Sequence, residues 1–186
     1  MPPIAGLGCH LGLADKHCRM DQVIKLDVPW LPDPGHSYPH LFADDIGPTM
    51  VVYRTAESAP TDDKWAVLRF PLCRIVKFGY PNDEALPGHP LYPKGLSCYG
   101  LFEVLDSSWS KSLDEQNLVS FPNPSPSRRS RRHFIVMFHD STLECIAESM
   151  GGRFASSWDA AMKGNLDGSL FSTVIPSRPD IAAPAP

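Results

Sequence analysis

The sequence predicts a sheet-rich α+β protein: a single domain with one curved antiparallel sheet, able to curl toward a barrel, and a few marginal helices. Three observations carry this. Apolar or alternating runs recur at Thr49–Thr55, Lys64–Phe70, Leu72–Phe78, Ser97–Leu105 and His133–His139, with turn-forming residues between them. The 20 prolines, concentrated near the ends and in the connections, argue against a helix bundle. A chain of 186 residues is most naturally one domain with an ample core.

Residues 1–22 read as a loosely ordered extension. Cys9-His10 and His17-Cys18 offer two thiols and two imidazoles, but adjacent residues diverge from an extended chain and the spacing is not that of a zinc finger. Gly6, Gly8 and Gly12 approach a dinucleotide fingerprint without the strand that must precede one. The start is not basic and its apolar residues are interrupted, so no signal peptide is expected. No run approaches the length of a membrane span. Five cysteines, an odd number, read as free thiols in a reducing compartment, and the expected location is cytoplasmic. A net charge of −4 and a pI near 5.9 argue against broad attraction to nucleic acid, and no membrane association is expected.

The globular domain is expected over residues 23–175. A short strand near Gln22–Val28 leads into a proline-punctuated connection, Pro29–Pro48, holding His36, His40, Asp44 and Asp45. Thr49–Thr55 and Lys64–Phe70 form an antiparallel pair across a polar turn, and Leu72–Phe78 follows Pro71. The loop Gly79–Gly95 contains Pro81, Pro87, Pro90 and Pro93, is anchored by Tyr80, Leu86, Leu91 and Tyr92, and groups Asn82, Asp83, Glu84 and His89. Loops of this length in compact domains are commonly functional. Asn82 or Asp83 also suits the cap of a short helical turn.

Ser97–Leu105 is a strand with Glu103 embedded in it, and Gly95-Leu96-Ser97-Cys98-Tyr99 misses the nucleophile-elbow pattern at its last position. Ser107 or Ser108 caps a helix over Trp109–Asn117. The basic run Arg128–Arg132 reads as a solvated loop, with a phosphate contact as the lesser alternative. Ser156 or Ser157 caps a last helix through Trp158 and Ala161, and residues 176–186 read as a disordered tail.

The stretch from His133 to Met150 organises the chain. Phe134 to Phe138 are all apolar, which suits a central strand. Two continuations compete. As a hairpin, Phe138 stands opposite Leu143, Val136 opposite Cys145 and Phe134 opposite Ala147; the other face then carries His133, Glu144 and Glu148, with His139 diagonal to Glu144. As a helix, Ser141 is the N-cap, Glu144 closes a capping box, and Gly151-Gly152 ends the element.

On the hairpin reading the candidate catalytic residues are His139 and Glu144, a proton-exchanging imidazole and its orienting acid, with Asp140 beside them. Tyr80, Asn82, Asp83, Glu84, His89 and Tyr92 of the loop, and Glu103 from a neighbouring strand, are the candidate binding residues. The same His139–Glu144 pair also suits a purely structural role, since a carboxylate in an apolar sheet needs a partner. The function expected is small-molecule handling, as enzyme or binder, in a polar pocket between the sheet and the 79–95 loop. Two alternatives stay open: a protein–protein interaction or regulatory module resembling immunity proteins, and a metal-dependent enzyme using His89 and His139. The spacing itself defines no metal site, cofactor or oligomeric state.

The strings KFGYPNDEALPGHPLY and HFIVMFHDSTLECIAE resemble a group of bacterial hypothetical proteins of similar length, over about Trp30 to Met150. No activity is attached to that group. The resemblance implies a stand-alone bacterial-type domain and transfers no catalytic residue.

Overall fold

The computed structural model describes residues 21–45, 47–56, 64–123, 131–163 and the backbone of 173–174. Among these, the strands are β1 (Gln22–Lys25), β2 (His40–Phe42), β3 (Thr49–Arg54), β4 (Trp65–Phe70), β5 (Ile75–Gly79), β6 (Gly100–Leu105), β7 (Arg132–Met137), β8 (Thr142–Ala147), β9 (Gly151–Ala155) and β10 (Thr173–Val174). The helices are α1 (Ser108–Leu118) and α2 (Trp158–Lys163). The chain is a sheet-rich α+β domain with antiparallel pairing throughout.

The strands divide between two five-stranded sheets, ordered β1-β6-β7-β8-β5 and β10-β9-β4-β3-β2, and neither closes into a barrel. This corrects the expectation of one sheet built from all five predicted strands. The break lies at Pro71-Leu72. Proline cannot donate to a ladder, and Leu72 sits at a left-handed φ of 49°, so the chain turns a corner after β4. β5 therefore joins β8 in the first sheet, and β4 takes β9 as its second neighbour.

Between the sheets lies the main core. Val51, Tyr53, Ala66, Leu68 and Phe70 from the second sheet meet Leu101, Phe134, Val136, Phe138, Leu143, Cys145 and Ala147 from the first. Ring pairs span the layers: Tyr53 meets Phe138 edge-on at 5.1 Å, and Phe70 lies 5.9 Å from Phe134. Burying each large apolar side chain here contributes about 1.5–3 kcal/mol. Trp30 is drawn in as well, its carbonyl accepting the buried Tyr53 hydroxyl at 2.6 Å. Gly152 makes room for it: a Cβ there would stand 2.8 Å from both the Trp30 ring and Leu68 Cδ2.

β7 is buried along its whole length, as an all-apolar centre requires. The stretch after it is strand, not helix, so the hairpin continuation holds and the capping-box alternative does not. The turn is the two-residue His139-Asp140, closed by the Phe138 N–H donating to the Ser141 carbonyl at 2.9 Å. Its register differs from expectation by two residues: Val136 faces Leu143, Phe134 faces Cys145 and Ile135 faces Glu144. A slip of two keeps every side chain on its expected face but changes its neighbours.

Both helices start where serines predict. The Ser107 hydroxyl oxygen caps α1 by accepting the Ser110 N–H at 3.1 Å, and Ser157 does the same for Ala160 at 3.1 Å. The cysteine and histidine pairs at 9–10 and 17–18, residues Arg128 to Ser130 and the 176–186 tail lie outside the described residues.

Candidate functional site

The outer face of the first sheet is covered by the loop between β5 and β6. Leu86, Leu91 and Leu96 are buried against Val23, Phe102, Val104, Ile135 and Met137. Two short 3-10 turns, Leu86–Gly88 and Tyr92–Lys94, place these leucines, each turn carrying a proline early where its missing donor costs nothing. The Thr142 hydroxyl donates to the Pro81 carbonyl at 2.8 Å, and the Asn82 side chain caps the turn by accepting the Ala85 N–H at 3.1 Å. The loop also meets the β7–β8 hairpin through two imidazole–carboxylate contacts of different kinds.

The first contact centres on Glu144. Its two carboxylate oxygens face His133 Nε2 at 3.0 Å and His89 Nε2 at 3.3 Å. A carboxylate only accepts, so both imidazoles present N–H there. The remaining nitrogens are engaged too: His89 Nδ1 accepts the Leu91 N–H at 3.2 Å, and His133 Nδ1 lies 3.0 Å from the Ser107 hydroxyl. Trp109 packs edge-on against His133 at 5.1 Å, and the Lys77 ammonium sits 3.8 Å above the Trp109 ring. Side-chain exposure is 3% for His133, 9% for His89 and 14% for Glu144. Burial by itself would raise the Glu144 pKa; the hydrogen bonds from His133 and His89, with Lys77 nearby, overcome it and hold the carboxyl well below its usual range.

The second contact is at the hairpin tip. His139 Nδ1 lies 2.9 Å from Asp83 Oδ2, and the Tyr99 hydroxyl donates to the same oxygen. Tyr99 enters from just before β6 with a left-handed φ of 52°, uncommon for a bulky residue and costing about 1–3 kcal/mol. The Asp83 N–H donates to the His139 carbonyl at 3.0 Å, fixing the two backbones together. Asp83 Oδ1 accepts the Glu84 N–H at 2.8 Å. The Tyr99 hydrogen bond, joined by His139, holds Asp83 below the usual carboxylate range, and Asp83 in turn pushes Tyr99 up to about 12. Because an ionised Asp83 only accepts, His139 carries its proton on Nδ1. In the neutral ring Nε2 then carries the lone pair; Asp140 Oδ1 lies 3.9 Å from it, and the His139 side chain is 41% exposed.

Beside this tip lies a cleft of about 320 Å³, lined by His36, Tyr38, His40, Phe78, Asp140 and Ser141 among others. Tyr38, Phe78 and Tyr80 are exposed. No family model matches the chain, and no curated protein or solved structure is similar to it.

The structure thus redistributes the predicted site residues. His139 and Glu144 do not pair: the two-residue register difference moves Glu144 away from the turn and diagonal to His133, which stands opposite Ile146. Asp140 is at the tip but 89% exposed. Asp83 and His89 do close on the hairpin, each on a different partner. Glu103 is on the opposite face of the sheet, buried and held by Arg132, whose Nε and Nη2 donate at 3.0 and 2.6 Å. Of the basic run, Arg131 lies 2.9 Å from Asp114 and Arg132 is committed to Glu103, leaving neither as an unpaired phosphate ligand. Tyr80, Glu84 and Tyr92 are exposed. His89 and His139 serve separate carboxylates, and among the described residues no group of three His, Cys, Asp or Glu side chains is placed to hold a metal ion.

Sequence reasoning missed Tyr99, which carries no signal beyond its place before a strand. It treated Ser107 only as a cap and His133 only as a minor member of the site.

Proposed function

We propose that the protein handles a small molecule at the hairpin end of the sandwich, with His139 as the group that exchanges a proton and Asp83 as the carboxylate that orients it. One observation carries the reading: Asp83 holds Nδ1 of an imidazole that is 41% exposed on a two-residue turn, which in the neutral ring leaves the Nε2 lone pair to accept a proton. An imidazole so held is arranged as a general base. Tyr99 keeps Asp83 ionised and in place. The neighbouring cleft supplies apolar walls from Tyr38 and Phe78, with Asp140 and Ser141 as polar contacts. Glu144 is assigned no catalytic part.

The test is a fragment screen followed by amide shifts in isotope-labelled protein. Binders are expected to perturb Phe78, Asp140 and Ser141, and to lose affinity on His139→Ala and Asp83→Asn. Hits that ignore this region, or that bind both variants like the wild type, sink the proposal. A second reading, an interaction module, draws on the exposure of Tyr38, Phe78 and Tyr80. It is favoured if no fragment binds while Tyr80→Ser abolishes capture of a partner protein.

A further inference from the structure

The cleft beside the hairpin tip has a charge bias. Among the described residues its lining holds one carboxylate, Asp140, and no lysine or arginine. Asp140 is 89% exposed, with His139 Nε2 3.9 Å away. On the other side of the imidazole, Asp83 brings a second carboxylate to 2.9 Å from Nδ1. A cation is the ligand this end of the sandwich attracts.

The same cleft is walled by two aromatic rings that remain exposed. Tyr38 follows a tightly held turn: the carbonyl of buried Ser37 accepts the Arg54 N–H at 2.7 Å, and the Asp33 side chain accepts the Gly35 and His36 N–H groups at 2.8 and 2.9 Å. The Tyr38 backbone sits at a left-handed φ of 42°, disfavoured for a bulky residue, and yet its ring is left 57% exposed. Core packing does not explain a strained residue that buries so little; strain of this kind gathers at ligand sites. Phe78, on β5, shares a strand face with Val76, which packs into the core, but is itself 43% exposed where the cleft opens. The faces of such rings attract cations, and best of all organic ammonium ions.

We propose, resting on the reading of this cleft as the ligand site, that it takes a small alkylated ammonium ion, seated against the Tyr38 and Phe78 rings with Asp140 as its counter-charge. A primary ammonium asks for three acceptors around it. An alkylated one spreads its charge over methyl groups, which ring faces and a single carboxylate satisfy. With Asp140 Oδ1 only 3.9 Å from His139 Nε2, a group carried next to the nitrogen lies within reach of the imidazole.

The experiment titrates choline chloride into the isotope-labelled full chain and follows amide shifts, beside two controls. One is sodium chloride at equal ionic strength; the other is the uncharged isostere in which carbon replaces the choline nitrogen. Choline is expected to shift Tyr38, Phe78, Asp140 and Ser141, and to bind about fivefold more tightly than the isostere. Asp140→Asn, a change at an exposed tip that leaves the fold intact, should weaken choline about fivefold and leave the isostere unchanged. Tyr38→Leu and Phe78→Leu keep apolar surface but remove the ring, and each should weaken choline several-fold. Equal binding of choline and isostere, choline shifts that sodium chloride reproduces, or full choline affinity in Asp140→Asn and both leucine variants would overturn the proposal. So would uncharged fragments that perturb the cleft and respond to Asp83→Asn while choline leaves it unmoved, a result that keeps the acid–base reading of His139. Choline binding that persists in His139→Ala upholds the ammonium site and counts against that reading instead.

Discussion

The Glu144 centre and the His139 centre are built from the same parts, a carboxylate and an imidazole across the loop–hairpin junction, and they do different work. At Glu144 both carboxylate oxygens and all four ring nitrogens of His89 and His133 have partners. It is closed, largely buried and satisfied, and it latches the loop onto the sheet. At His139 only one nitrogen is bound by the protein, and the ring is 41% exposed. A satisfied network stabilises; a network with one ring nitrogen left without a hydrogen bond from the protein can act on something else. Hydrogen-bond completeness, more than residue type, separates the latch from the candidate site.

The largest effect expected from this contrast is on stability at the latch. Glu144→Ala orphans two buried imidazole N–H groups and should cost about 3 kcal/mol, as breaking a buried, hydrogen-bonded contact does. Urea unfolding would read this as a lower midpoint with an unchanged slope. A loss no greater than that of an exposed substitution would dissolve the contrast.

The acid limb comes next. The folded Glu144 carboxyl is held below its unfolded value, so its stabilisation is whole above the ordinary carboxylate range, near ~4.3, and declines as pH falls from there toward the folded value. Glu144→Gln cannot titrate, and its stability should fall less steeply on acidification than that of the wild type. Parallel acid limbs would refute the assignment. Ser107→Ala removes both the α1 cap and the hydroxyl beside His133, and thermal melts should show a loss of about 1 kcal/mol. The smallest effect belongs to the other centre: His139→Ala should change stability by no more than about 0.5 kcal/mol. A larger loss would make His139 a second latch.

Much of the fold was legible in the chain. Alternation and proline placement marked the strands, serines marked both helix starts, and Phe134 to Phe138 marked the central strand. The division into two sheets was not legible, because it turns on a left-handed Leu72 after Pro71, and leucine carries no signal for that conformation. At the site the sequence found His139, Asp83, His89 and Glu144 but joined them wrongly. A hairpin register displaced by two preserves the hydrophobic pattern completely, so periodicity cannot detect it, yet it exchanges every cross-strand partner. The loop's contacts cross 55 and 56 residues of sequence, and only tertiary packing sets them.

The most direct test of the contrast is the tautomer of each ring, read from long-range proton–nitrogen correlation spectra at a pH above the ordinary imidazole range. The account predicts His139 protonated on Nδ1 with a bare, solvent-responsive Nε2, and His89 and His133 protonated on Nε2 with shifts insensitive to added fragments. His139 found protonated on Nε2 would leave no outward base and would contradict it.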